Sequence, residues 1–91
     1  MKYERKNSFK RALKRLPPDR QKRAGAAIQA LITFYESKIK TEGLGLIYLR
    51  DDVWEIRSSL KDRILFSLED DLVSFLVVGN HDAIRRYLKN L

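Results

Sequence analysis

Two hydrophobic periods divide this 91-residue chain, and the change between them sets what it can become. From Ser8 to Ser37 apolar residues recur every three or four positions, whereas from Val53 to Val78 they alternate or run together. A helical period cannot serve as a strand, because residues aligned on one face of a helix would be split between two faces of a sheet. Helices first and strands second predict segregated helices packed on a small antiparallel sheet, an α+β architecture.

In the first part, Phe9, Ala12, Leu13 and Leu16 form one stripe of a short amphipathic helix, with Asn7 or Ser8 as the cap. Lys10, Arg11, Lys14 and Arg15 occupy its other face. Pro17 ends the helix and Pro18 is suited to open a second, which runs to about Ser37 and completes a helical hairpin. Its inward stripe is Ala24, Ala27, Ile28, Leu31, Ile32 and Tyr35, and small Gly25 and Ala26 are expected to permit close approach to a neighbour. Before the hairpin, charged Met1–Asn7 leaves room for an edge strand around Tyr3. After it, Lys40–Asp52 holds Gly43 and Gly45 without a sustained period, which predicts a loop with a brief extended piece around Leu46–Leu49.

Alternation then begins. Trp54, Ile56 and Ser58 point one way and Val53, Glu55, Arg57 and Ser59 the other, and Arg63–Glu69 repeats the pattern with Ile64, Phe66 and Leu68 inward and Arg63, Leu65 and Ser67 outward. A turn at residues 60–62 makes these two a hairpin. Leu72–Val78 is nearly all apolar, as befits a central strand covered on much of both faces. Gly79 and Asn80 end it, and Asp82–Leu91 forms a short final helix with Ile84 and Leu88 inward. The sum is one domain over residues 1–91: an N-terminal helical hairpin packed on a small twisted antiparallel sheet, with a short C-terminal helix.

Charge is distributed unevenly along that layout. The net charge is +7, and residues 1–40 hold twelve Lys or Arg against three acids while residues 41–91 hold seven against nine. A basic hairpin of this kind suits a polyanion, through counterion release, or an acidic protein, although a solvated surface would look the same. With no cysteine and the single histidine His81, neither a thiolate nor a multi-histidine metal centre is expected, nor any cofactor. No apolar run approaches the span of a membrane helix and no signal-peptide pattern opens the chain, so a soluble, cytoplasmic protein is expected.

If the three strands pair in order, Glu55, Arg57 and Arg63 come to one face, with His81 and Tyr87 on the segment leaving the third strand. Cleaving RNA without a metal needs a base for the 2′-hydroxyl, cations for the phosphorane-like transition state and an acid for the leaving 5′-oxygen. Glu55 suits the base, Arg63 and Arg57 the cations and His81 the acid, while Tyr87 suits stacking on a base or donating to phosphate. Each has a plainer reading: an exposed strand ion pair for Glu55 and Arg57, closure of that pair by Arg63, a polar helix start at His81 and core packing at Tyr87.

The succession Val53-Trp54-Glu55-Ile56-Arg57, Arg63-Ile64-Leu65-Phe66 and Val77-Val78-Gly79-Asn80-His81-Asp82 through Tyr87, after a basic helix ending in Leu16-Pro17 and a longer second helix, resembles the RelE/ParE toxin superfamily. The resemblance covers nearly the whole chain. It implies the toxin of a toxin–antitoxin pair, an mRNA interferase that enters the ribosomal A site, cleaves the message there and is neutralised by an antitoxin that wraps it. It places Glu55, Arg63, His81 and Tyr87 in catalysis, and Arg57, Lys61 and Arg85 are the accompanying substrate-binding cations. Lys10, Arg11, Lys14, Arg15, Arg20, Lys22 and Arg23 are expected to dock on the ribosome. The alternatives are a ParE-type inhibitor of DNA gyrase with the same fold and no nuclease activity, and a non-catalytic RNA- or protein-binding module.

Overall fold

Pro17 and Pro18 make the first corner of the fold. In the computed structural model, which describes residues 1–40 and 42–91, helix α1 spans Asn7–Lys14 and α2 spans Pro18–Ser37. The Pro17 carbonyl accepts the N–H groups of Arg20 and Gln21, and the donor that Pro18 lacks would have been unpaired in a first turn anyway. Gln21 Nε2 donates to the Leu16 carbonyl at 2.9 Å and braces the corner. The cap of α1 is Lys6 rather than Asn7 or Ser8. Ser8 is used elsewhere: its hydroxyl donates to the Leu76 carbonyl at 2.6 Å.

The strands are β1 (Lys2–Arg5), β2 (Ile47–Arg50), β3 (Val53–Arg57), β4 (Arg63–Glu69) and β5 (Leu72–Gly79), followed by α3 (His81–Lys89). They form one sheet in the order β1-β5-β4-β3-β2. β2 to β5 is an antiparallel meander, whereas β1 lies parallel to β5, with Tyr3 opposite Val73. The α+β class and the order of layers hold, but the sheet is mixed rather than wholly antiparallel. β1 reaches its neighbour through most of the chain and not through a tight turn, so no hairpin geometry imposes an antiparallel pairing. Within the segment expected to be loop, β2 begins one residue after the extended piece foreseen at Leu46–Leu49, and Thr41 lies outside the described residues.

Two apolar clusters sandwich the sheet. On the hairpin side Phe9 of α1 and Ala24, Ala27 and Leu31 of α2 cover Ile56, Ile64, Phe66, Val73, Phe75 and Val78. On the other side Ile84 of α3 covers Val53, Leu65, Leu76 and Val77. Leu65, expected to face outward on an open surface, is thus fully buried, because α3 folds back over β4 and β5. A bulge helps to seat it. Leu65 pairs with Val77 and Phe66 with Phe75, which leaves Leu76 unmatched, and Leu76 and Val77 both join the α3 cluster.

Where β1 stops, α1 takes over the edge of β5: the Lys6 N–H donates to the Phe75 carbonyl at 2.9 Å and Ser8 to the next carbonyl. Gly25 and Ala26 do not form the close contact expected of them. Both are exposed, with open space where a Gly25 Cβ would stand, and Ala24 and Ala27 pack instead. Trp54, on the same face of β3 as Ile56, is half-buried against the hairpin-side cluster and meets Tyr48 edge-on at 5.1 Å.

Candidate functional site

Strand register brings three charged side chains to one strip of sheet. Arg57 is opposite Arg63, which is opposite Gly79, and Glu55 lies one same-face step along β3. Arg63 Nε stands 3.5 Å from Glu55 Oε2, with the two side chains 29% and 15% exposed. Like charges directly across a ladder are unfavourable, and Glu55 neutralises one of the two guanidinium groups. Arg57 is left exposed with no carboxylate partner among the described ion pairs. The strip therefore carries one half-buried carboxylate, one cation paired to it and one cation in surplus. Gly45, at φ +61°, runs so close to Arg57 that a Cβ there would come within 3.1 Å of the Arg57 Cβ. The Arg57 N–H donates to the Leu44 carbonyl at 2.8 Å, so this loop walls the strip on one side.

The β3–β4 turn holds Arg63 from its other end. Arg63 Nη1 donates to the carbonyls of Ser59 and Asp62, each at 3.3 Å. The Asp62 carbonyl also accepts the Ser58 N–H at 3.1 Å, and Ser59 Oγ accepts the Asp62 N–H at 3.0 Å. The Asp62 carboxylate is fully buried and receives both prongs of Arg20, Nε at 2.8 Å and Nη2 at 2.7 Å. These charge-assisted bonds hold the Asp62 carboxyl below its ordinary pKa of 3.8 against the opposing effect of burial, and they raise that of Arg20. Arg20, grouped with the docking cations, is thus committed to an internal pair.

His81 leaves the sheet two residues after Gly79. Asn80 caps α3, its Oδ1 accepting the Ala83 N–H at 2.9 Å, and His81 is exposed in the first turn. With Arg20, Lys61, Asn80 and Asp82 it lines a shallow depression at the end of the strip. Gly79 makes this junction tight, since a Cβ there would stand 2.8 Å from the Ala83 Cβ. Arg85, exposed and four residues after His81, shares its helical stripe.

Tyr87 does not join them. Six residues beyond His81 it is rotated roughly 120° around the helix axis, and it packs partly on the α3 cluster while lining a cleft of about 520 Å³ with Arg15, Leu16, Asn80 and Arg86. Helical phase, which the sequence shows, already separates the two residues; their position over the sheet it does not show. Lys10, Arg11, Lys14, Arg15, Lys22 and Arg23 are exposed as expected. The residue that sequence reasoning missed is Asp62, whose setting in a charged turn gives no sign of burial beneath an arginine 42 positions away.

No protein-family model matches the sequence, and no curated protein matches it either. Solved structures do. The chain is similar to a component of the RelB–RelE antitoxin–toxin complex of Methanococcus jannaschii, at 19% identity and a TM-score of 0.70 over 96% of this chain and 98% of that one. It is similar to one chain of the DinJ–YafQ complex of E. coli, at 18% identity and 0.64 over 90% and 94%. A YoeB/ParE toxin of Agrobacterium tumefaciens matches at 12% identity and 0.67 over 89% and 99%. At these identities the likeness is one of fold, and the fold is that of the RelE/ParE toxins.

Proposed function

We propose that this chain is the toxin of a toxin–antitoxin pair and acts as a metal-independent, ribosome-dependent endoribonuclease. The observation that carries the reading is the strip itself: half-buried Glu55 against Arg63, surplus Arg57 alongside, and His81 at the adjoining helix start. Glu55 takes the proton of a 2′-hydroxyl, whose oxygen attacks the adjacent phosphorus. Arg63, through the Nη2 that its protein partners leave open, and Arg57, whose forked donors match two phosphate oxygens at once, hold the oxygens on which charge develops. His81 gives a proton to the departing 5′-oxygen, which leaves a 2′,3′-cyclic phosphate and a free 5′-hydroxyl. Base and acid each supply about 10²–10⁴-fold in catalysis of this kind.

Lys61 and Arg85 extend the cationic border of the strip for the message. Tyr87 keeps a place in the proposal, with Arg15 and Arg86 along its cleft, as a stacking platform for a neighbouring nucleotide and not as a proton carrier. The exposed cations of the hairpin dock on ribosomal RNA. Similarity to structures of RelB–RelE and DinJ–YafQ complexes supports a cognate antitoxin as partner, and a bacterial or archaeal cytoplasm is where such a pair would work.

The place of Tyr87 in a cleft with Arg15 and Arg86, outside the hollow that His81 lines, favours, as a second reading, a ParE-type inhibitor of DNA gyrase, which needs no base or acid. Primer extension on ribosome-bound message, with wild type beside Arg63→Ala and His81→Ala, separates the two. New 5′ ends that both variants lose are expected; whole messages under arrested growth, with supercoiling inhibited in a gyrase assay, would replace the nuclease with the inhibitor.

A further inference from the structure

We infer that Arg20 and Asp62 are positioning residues for Arg63, so that the helical hairpin sets the aim of a guanidinium on the far face of the sheet. The inference rests on the proposed site only for its activity arm. Asp62 is the pivot. Its carboxylate is held by both prongs of Arg20 at the start of α2, and its carbonyl, with that of Ser59, receives Arg63 Nη1. Ser59 Oγ closes the turn by accepting the N–H groups of Asp62 and Lys61, at 3.0 and 3.2 Å. One residue thus faces the hairpin with its side chain and the site with its backbone.

Arg63 needs such a fixture. Glu55 alone restrains it at one nitrogen, Nε, across 3.5 Å, which leaves the outer nitrogens free to swing about the side-chain axis. The carbonyls of Ser59 and Asp62 fix Nη1, and fixing both ends orients the guanidinium plane, so that Nη2 remains for a phosphate. Those carbonyls hold their place only while the turn does. The turn has an exposed tip, Leu60 at 94%, and its tie to the rest of the molecule is the buried Asp62 carboxylate. A carboxylate excluded from water is stable there only with its cation, so loss of Arg20 forces the turn outward or protonates it.

The test uses the full chain with Asp62→Asn, which keeps the shape, and Arg20→Lys, which keeps the charge and loses the fork. Both are read below their melting temperatures by the guanidinium signals of Arg63 in nitrogen-15 NMR and by cleavage kinetics. Wild type is expected to show hindered rotation and slow solvent exchange at Arg63, and both variants to lose it. In cleavage, kcat should fall at least about tenfold with KM little changed, the pattern of an interaction realised in the transition state. Unchanged Arg63 signals in a folded variant, whatever its melting temperature, overturn the inference and leave the pair a plain structural tie. Should Asp62→Asn fail to fold, Arg20→Lys carries both readouts. If wild type cuts no RNA at all, the NMR arm still decides positioning while the nuclease reading fails by itself.

Discussion

Asp62 and Arg20 show how much one pairing changes the meaning of a residue. In sequence Arg20 belongs to a run with Lys22 and Arg23 at the start of a helix and reads as one more surface cation. In the fold it neutralises a buried carboxylate, while Lys22 and Arg23 stay exposed. The pair also gives the protein an acid-sensitive element. Because the folded state holds the Asp62 pKa below 3.8, its contribution to stability is complete above that value and is lost as pH falls through the lower, folded one. Asp62→Asn should therefore cost about 1–3 kcal/mol at pH 7, part of the full penalty being spared because Arg20 can still reach water. In urea titrations the gap between wild type and variant should shrink below pH 3.8, the ordinary value for the group. A gap of the same size at pH 7 and pH 2.5 would mean that the variant acts through packing and not through charge.

The element that most shapes the site is α3. Its period was legible, and so was its inward pair, with Ile84 buried and Leu88 partly so. Where it lies was not. That depends on the bulge at Leu76, which turns two consecutive residues toward the helix, and on Gly79, which lets β5 pass directly into it. Gly79→Ala sets a Cβ against that of Ala83 at 2.8 Å and must push the first turn of α3, His81 included, away from the strip. The expected effect is a loss of about 1–3 kcal/mol with a fall in activity, and Ala83→Gly in the same chain should recover most of the activity while adding about 1 kcal/mol of helix penalty. Denaturation and cleavage of the single and double variants measure both. No recovery in the double variant would show that the contact is not what places His81. Edge strands were less legible for a related reason: β1 and β2 are four residues each and bury little, so they leave only a faint pattern.

At the scale of the molecule, the basic surface and the proposed site occupy different parts. The exposed cations of α1 and of the first turns of α2 lie on the hairpin, while the strip with Glu55, Arg57 and Arg63 is formed by β3 and β4 on the opposite face of the sheet from the hairpin core. Binding and cutting should then respond to different substitutions. Replacing Lys10, Arg11 and Lys14 together by glutamine should weaken binding to single-stranded RNA and lower the slope of log affinity against log salt by about 2, at about 0.7 per lost phosphate contact. Titrations at several salt concentrations give that slope, and an unaltered one would remove α1 from the docking surface. What the sequence by itself determined was periodic or compositional: two helices broken at Pro17-Pro18, the alternating hairpin of β3 and β4, the doubly covered run of β5, and the basic bias of the first forty residues. Each follows from side chains close along the chain. What only the tertiary structure decided was the parallel partner of β1, the cover of α3 over Leu65, the seating of Tyr87 in a cleft with Arg15 and Leu16 and the burial of Asp62 under Arg20. These depend on which distant segments meet, and a local period constrains the face a residue occupies but not the element set against that face.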